Sequence, residues 1–418
     1  MKRVFTGATF LPGGKDWQPR RGQDILISDG IVLEIGSRIA VPSDAQIVDA
    51  SSLLLLPGFN NAHTHSPEML GRGLAPMAEL NEWLGHAYGS GRDTLDDDSV
   101  SRAIHLCAAD IVRGGGVAVT DHFRQVPLRP DAVRAAARAW AKTKLKARVA
   151  INLRDRATAG GGLVGVPEVS AARHSTRDVL VQAEALLDEG LPAAILPGPS
   201  APQRVTDELL IETARFARAR RLSLHMHNSE NRKDVEACRE LYGESAIAHL
   251  NRLGVLGPNV ELVHCVHIDD GDIELIAKSG ARIIHSPIAN LRLGSGVAPI
   301  ARALRQNVDI RLSTDGAGSN DSQSMLEAAK FALLAPRAAL PPSEWLTPEQ
   351  VLSMATGGAQ LRAGADADLI AFDLGASAFV NVGDNFASNV VLAARDADLV
   401  HVMADGEWLM RDKELQLS

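Results

Sequence analysis

The alternation of apolar and polar positions changes character twice along this chain. Over its first 56 residues, short β-type segments alternate with turns: residues 3–10, 24–28, 31–35 after the Asp29-Gly30 turn, and 46–49. Such spacing predicts a small antiparallel sheet. From Leu53 onward, short apolar runs alternate with longer polar segments of helical character, the pattern of a parallel α/β structure. The strand segments are residues 53–60, 117–122, 147–153, 193–196, 222–227, 260–264, 282–285 and 309–313. Helices are expected between them at 97–113, 131–141, 176–189, 206–220, 231–253 and 272–278, and after them at 322–334 and 348–355. Eight strands with intervening helices predict a (β/α)8 TIM-like barrel, an α/β fold whose active site forms where the C-terminal strand ends converge. Beyond Ala365 the β pattern resumes at 368–372, 389–393 and 400–405. The two termini are therefore expected to form one small β-sandwich that the barrel interrupts, dividing the chain at 1–56, 57–361 and 362–418.

The residues capable of chemistry fall at the predicted strand ends. Pro57-Gly-Phe-Asn-Asn-Ala-His63-Thr-His65-Ser66 follows the apolar run at 53–56, so that run is read as the strand that delivers His63 and His65 at or just past its end. Side chains two apart share a strand face, and two neighbouring imidazoles make half of a metal site. The fifth strand ends in His225-Met-His227-Asn-Ser-Glu230. Alternation puts the more distal His227 at the mouth as a ligand, and His225 one layer deeper as a hydrogen-bonded core residue. Glu230, on the first turn that follows, is placed as a proton shuttle. The sixth strand ends in His264-Cys265-Val266-His267, where His264 is the group expected to face substrate as electrophile or acid, and the seventh ends in His285-Ser286-Pro287. The eighth ends in Ser313-Thr314-Asp315-Gly316, whose aspartate can take a fourth ligand position or hydrogen-bond a water on the metal.

Composition narrows the partners. Lys and Arg total 43 against 51 Asp and Glu, for a net charge of -8, with no basic run, so nucleic acid is not expected as a partner. No apolar stretch approaches the ~20 residues that span a bilayer, and the start carries no cleavable leader pattern, so a soluble, cytoplasmic protein is expected. The 3 cysteines, Cys107, Cys238 and Cys265, are odd in number and far apart, which fits a reducing compartment and no disulfide framework. Signatures of the other zinc deaminase class, of phosphate-binding loops and of nucleophile elbows are absent from the sequence.

Taken together, the segment 57–65, His227-x-x-Glu230, His264-Cys265, His285-Ser286-Pro287 with Asn290-Leu291, and Thr314-Asp315-Gly316 resemble the amidohydrolase superfamily. The similarity is greatest to its mononuclear deaminase branch of cytosine, guanine, S-adenosylhomocysteine and triazine enzymes, and it covers nearly the whole chain. That resemblance implies His63, His65, His227 and Asp315 as ligands of one divalent ion, zinc or iron, with Glu230, His264 and Asp315 handling protons. Binuclear relatives carry a modified lysine at the end of strand four, where this chain reads Leu-Pro-Gly-Pro-Ser-Ala-Pro over 196–202, so one metal is expected. The implied reaction is hydrolytic deamination of an amino-substituted N-heterocycle by hydroxide formed at the ion, a cyclic-amidine C–N hydrolysis. Displacement of alkylamine or chloride from a triazine-like ring is the alternative enzyme, and a non-catalytic barrel the alternative of another class. Relatives acting on S-adenosylhomocysteine carry a histidine in the turn after strand four, where Ser200 stands here, followed by Gln203 and Arg204. Ser200, Gln203, Arg204, Trp83 and His122 are the candidate substrate contacts, with Arg124 beside them. Homo-oligomers are common in the family and are expected. The connection at 354–365 is shorter than in relatives, which bears on the domain junction and not on the site.

Overall fold

The computed structural model of the chain describes residues 1–88, 95–156 and 175–417. Its architecture is α/β with two four-stranded parallel sheets and one larger sheet. The first parallel sheet takes its strands in sequence order: β1 (Phe59–Thr64), β2 (Gly116–Phe123), β3 (Lys146–Leu153) and β4 (Ala194–Pro199). The second likewise runs β5 (Leu224–Asn228), β6 (Val260–His264), β7 (Arg282–His285) and β8 (Asp309–Leu312). Single backbone hydrogen bonds cross from one sheet to the other on both sides. His227 N donates to Ser200 O beyond β4 (3.2 Å), and Asp315 N beyond β8 donates to His63 O in β1 (3.0 Å). Both crossings involve the backbone of a candidate metal ligand.

The larger sheet has nine strands drawn from both ends of the chain. Strand Leu53–Pro57 pairs with Lys2–Phe10 on one side and with Leu369–Asp373 on the other. It is a strand of this sheet and not the one that carries the histidines, a correction to the expected single strand over 53–60. Successive side chains explain the unbroken leucine run. Leu53 and Leu55 pack with Phe5, Phe10 and Ile25, whereas Leu54 and Leu56 pack with Phe59, Ile370 and Phe372, so both faces are dry. The chain then turns at Gly58, where a Cβ would lie 2.4 Å from Val117 Cγ1, and only afterwards enters β1.

Three further expectations change. Of the strands expected to form an antiparallel N-terminal sheet, Gln46–Asp49 instead runs parallel to Lys2–Phe10, as Leu53–Pro57 also does, and strands from both ends of the chain join in one hydrogen-bonded sheet. The segment at 389–393 lies in helix Phe386–Leu392: Phe386, Ala387, Val390 and Val391 are buried at helical spacing, which overrides the β preference of the paired valines. The helix expected over 231–253 is two helices, Arg232–Tyr242 and Ala246–Arg252, divided where Gly243 adopts φ 72° and Ser245 caps the second through Ala248 N.

Candidate metal centre and active site

His63 lies within β1 and His65 just past it, and both are buried. Asn61 holds the β8 end against them: its Oδ1 accepts from Thr314 N (3.0 Å) and its Nδ2 donates to Thr314 Oγ1 (2.7 Å). The carbonyl of Asp315 accepts from Gln323 Nε2 (2.7 Å) and Thr64 Oγ1 (3.1 Å). Asp315 itself sits at φ 67° and His264 at φ 73°, a left-handed turn that each makes on leaving its strand. That conformation costs a non-glycine residue about 1 kcal/mol or more and aims both side chains at one place.

The imidazoles are oriented through their Nδ1 atoms. His65 Nδ1 donates to His122 O (2.6 Å) and His227 Nδ1 to Ser200 O (2.8 Å). A carbonyl only accepts, so each Nδ1 carries the hydrogen and each Nε2 presents a lone pair. His63 is fixed by a longer chain. Arg148 bonds Glu261 (3.0 Å), Glu261 Oε2 accepts from His225 Nδ1 (2.8 Å), and His225 Nε2 accepts from His63 Nδ1 (2.9 Å). Burial would raise the Glu261 carboxyl, but Arg148 and His225 hold it below the usual range, so it anchors the chain as an anion. His225 thus is a core histidine, as expected, and also sets the tautomer of His63.

The outcome is three imidazole lone pairs and a carboxylate turned toward one point. His65 Nε2 and His227 Nε2 are 3.2 Å apart, and Asp315 Oδ1 is 3.4 Å from His63 Nε2 and 3.6 Å from His65 Nε2. Possible ligand atoms of His63, His65 and His227 lie within 4.8 Å of one another, as do those of His63, His264 and Asp315. His63 Nε2 is buried with no hydrogen-bond partner. Burial holds His63 and His227 well below the ordinary histidine range, so both are neutral and neither relieves the crowding by protonating. Asp315 stays a carboxylate despite its burial, with His63 and His65 facing it. Converging lone pairs with an anion fit a cation, and the N3O donor set suits zinc or iron.

Glu230 and His264 stand beside this point. Glu230 Oε2 is 3.6 Å from His264 Nε2, which is 3.9 Å from Asp315 Oδ2. His264 Nδ1 donates to Asn290 Oδ1 (2.9 Å), leaving Nε2 as an acceptor between the two carboxyl groups. Burial, and then the charges of Asp234 and Asp315, push the Glu230 carboxyl well above its usual range, which favours its protonated form.

A cavity opens over these groups. Trp83 and Arg204 line it, as do Arg124, Tyr88, Arg154 and Glu68. Of the other candidate contacts, Ser200 lies beneath the site with its Oγ buried and unpartnered, Gln203 accepts from Cys238 Sγ (3.9 Å), and His122 turns Nε2 to Gly198 O (3.3 Å). None of these three side chains lines the cavity. Glu68 escaped the sequence reading. It is buried, accepts from Tyr88 Oη (2.6 Å) and Ser319 Oγ (3.1 Å), and sits against Gly316, where a Cβ would collide with its carboxylate. Its position three residues after His65 was the available signal.

The profile of the amidohydrolase family matches residues 54–409. The chain is 31% identical to 5'-deoxyadenosine deaminase of Methanothermobacter thermautotrophicus, over 99% of this chain and 94% of that protein. It is also 31% identical to 5-methylthioadenosine/S-adenosylhomocysteine deaminase of Syntrophobacter fumaroxidans, over 97% of this chain and 92% of that one. Among solved structures, its fold is similar to an adenosine deaminase from Xanthomonas campestris with bound zinc, with a TM-score of 0.87 at 24% identity over 99% of this chain and 93% of that one. Guanine deaminase from C. acetobutylicum with bound guanine gives a TM-score of 0.85 at 18% identity, covering 98% of this chain and all (100%) of the other. The converging histidines, the matched profile and these full-length relatives lead to one conclusion: this chain belongs to the amidohydrolase family.

Proposed function

We propose that the protein is a metal-dependent hydrolytic deaminase that converts an amino-substituted N-heterocycle to the oxo product and ammonia. The observation that carries this reading is the buried Glu230 carboxyl 3.6 Å from His264 Nε2, next to a donor set suited to a cation. Relatives named as deaminases along the full length of the chain support it. His63, His65, His227 and Asp315 would hold one divalent ion, zinc or iron. When bound, the ion supplies Lewis acidity, which lowers the pKa of a water toward ~7.

The side chains divide the remaining work. Asp315, with Oδ1 toward the imidazoles and Oδ2 toward His264, orients the attacking water and accepts its proton. Glu230 gives its proton to the ring nitrogen beside the amine-bearing carbon, which makes that carbon electrophilic. His264, anchored at Nδ1 on Asn290, takes up at Nε2 the second proton of the added water and, as imidazolium, stabilises the charge left on that oxygen. The proton collected by Asp315 passes to the exocyclic nitrogen, ammonia leaves as the carbonyl forms, and the proton held by His264 passes to Glu230, 3.6 Å away, which restores the starting state. The two parallel half-sheets would close as one barrel around the centre, with residues 1–56 and 362–418 forming the smaller domain beside 57–361.

The test is ammonia release by zinc- or iron-loaded protein across aminopurines, pterins, aminopyrimidines and aminotriazines. Ammonia from at least one class is expected. Release of alkylamine or chloride without ammonia from any ring would reject deamination in favour of displacement.

A further inference from the structure

Glu68 lies in the short turn Ser66–Gly71 that follows His65, is 6% exposed, and lines the cavity. Both of its carboxyl oxygens are engaged: Tyr88 Oη donates to Oε1 (2.6 Å) and Ser319 Oγ to Oε2 (3.1 Å). The segment that follows Asp315 is shaped to receive it. A Cβ at Gly318 would stand 3.4 Å from Glu68 Oε2 and 3.1 Å from Trp83 Cζ2, and one at Gly316 would overlap the carboxyl group. Three parts of the chain that are distant in sequence therefore meet at one side chain: the turn after β1, the segment after β8, and the end of helix Leu80–Tyr88.

That helix needs an anchor. Its 9 residues are fewer than the ~12–15 at which an isolated helix becomes marginally stable in water, so tertiary contacts hold it. Its apolar side packs in a cluster of Ala78, Leu80, Trp83, Ala87 and Tyr88, to which more distant parts of the described chain give Leu293 alone, and this cluster is separate from the main core. Leu80 N donates to Leu293 O at the start of the helix (3.3 Å), and Tyr88 donates to Glu68 at its end. The exposed ion pair of Glu79 with Lys233 adds little. Yet Leu80, Trp83, Leu84 and Tyr88 of this helix form one wall of the cavity. Trp83 Nε1 is buried with no hydrogen-bond partner among the described residues, so the place of the indole depends on the seat of the helix and not on a bond of its own.

We infer that Glu68 is a positioning residue: by accepting from Tyr88 it fastens helix Leu80–Tyr88 to the segment after Asp315 and sets where Trp83 and Leu84 stand in the cavity wall. Its effect on substrate thus passes through the helix. Release of the Tyr88 hydroxyl frees the end of the helix and leaves His63, His65, His227 and Asp315 with the partners that orient them. The consequence is weaker capture of substrate with the chemical step preserved, which separates KM from kcat. This kinetic consequence rests on the deaminase reading; the seating of the helix does not.

The experiment uses metal-loaded protein carrying Tyr88→Phe, Glu68→Leu, both together, or Glu68→Gln, which keeps an acceptor oxygen for Tyr88. On a ring that wild type deaminates, Tyr88→Phe and Glu68→Leu are each expected to raise KM by ~10-fold, with kcat within about threefold and metal content unchanged. The double variant should do no more than either alone, because both changes remove one bond, and Glu68→Gln should restore most of the wild-type KM. Effects that multiply in the double variant would mean that each side chain acts on substrate by itself and overturn the inference, as would an unchanged KM in Tyr88→Phe. Fluorine NMR of protein labelled with fluorotryptophan reads the seat directly. The chain has 5 tryptophans, and the Trp83 resonance is the one missing from Trp83→Phe. It should shift or broaden in Tyr88→Phe and Glu68→Leu and stay in place in Glu68→Gln, while the other resonances hold still and report an intact fold. A Trp83 resonance unmoved in Tyr88→Phe overturns the inference. If no ring releases ammonia, the deaminase reading fails separately, and the spectra alone decide whether Glu68 seats the helix. Should Glu68→Leu fail to fold, Tyr88→Phe, which removes a single oxygen, carries both readouts.

Discussion

The two sides of the site are built differently. On the metal side, His63, His227 and Asp315 sit in or immediately beyond parallel strands, and their orientation is fixed by fully buried partners: His225 and Glu261, the Ser200 carbonyl, and Asn61 with Gln323. On the substrate side, Trp83 comes from helix Leu80–Tyr88 and Arg204 from a one-turn segment after β4, with Arg124 and Arg154 just past β2 and β3. Ligand geometry tolerates little error, so it is placed on rigid strands and locked from behind. The candidate substrate contacts stand on the connecting segments, which change without disturbing the sheets.

The largest effects should come from the metal side. His227→Ala is expected to reduce bound metal from about one per chain to below about a tenth and to abolish ammonia release, read by elemental analysis of dialysed protein alongside the assay. Retention of metal by that variant would sink the four-ligand assignment. Glu230→Gln should divide the two functions. Metal content stays at the wild-type level while kcat falls by ~10²–10⁴-fold, because the amide preserves shape but has no acid proton to give. If Glu230→Gln lost metal as well, Glu230 would be part of the ion's support and not of proton transfer.

The partners behind the ligands should rank next. Glu261→Gln leaves His225 Nδ1 without its anionic acceptor, loosening the tautomer of His63, and metal affinity is expected to weaken by about 10–100-fold in a competitive chelator titration. The same buried polar groups set a pH dependence in metal-free protein. Burial, and then His264, lower His285 to about 3. Its folded pKa lies below the unfolded value of ~6.5, so its contribution to stability is complete above ~6.5 and is lost as pH falls toward 3. Between pH 7 and pH 5 this amounts to about 2 kcal/mol for the one residue. Urea unfolding of metal-free protein should show that loss in wild type, and His285→Asn should reduce it; an equal loss in both would exclude His285 as a source.

This division also explains what the sequence made legible. His-x-His and His-x-x-Glu spacings and strand-end aspartates are local patterns, and they named His63, His65, His227, Glu230, His264 and Asp315, which the structure brings together. The cavity wall is assembled from residues whose neighbours are distant in the chain, such as Glu68 with Tyr88 and Ser319, so no spacing announces it. The misread strand at 53–60 has a related cause. A leucine run buried on both faces reads alike in a parallel sheet and in the terminal sheet, and only the turn at Gly58, packed against Val117, separates the two. The helix expected over 231–253 is too long for a simpler reason: Gly243 lies among residues that otherwise keep helical character.

The smallest expected effect tests where the boundary between the two sides runs. Ser200 stood among the candidate substrate contacts because of its place in the turn after β4. Yet the group it uses is its carbonyl, which accepts from both His227 Nδ1 (2.8 Å) and His227 N (3.2 Å). Its hydroxyl is buried, makes no hydrogen bond and does not reach the cavity. Removing an unsatisfied buried hydroxyl removes its desolvation cost and nothing else, so Ser200→Ala should be neutral or stabilising by up to ~1 kcal/mol, with kcat/KM within about threefold of wild type. Metal content should not change, because alanine supplies the same carbonyl. A tenfold or larger rise in KM for Ser200→Ala, with kcat and metal intact, would move Ser200 to the substrate side and require the hydroxyl to turn into the cavity when a ring is bound.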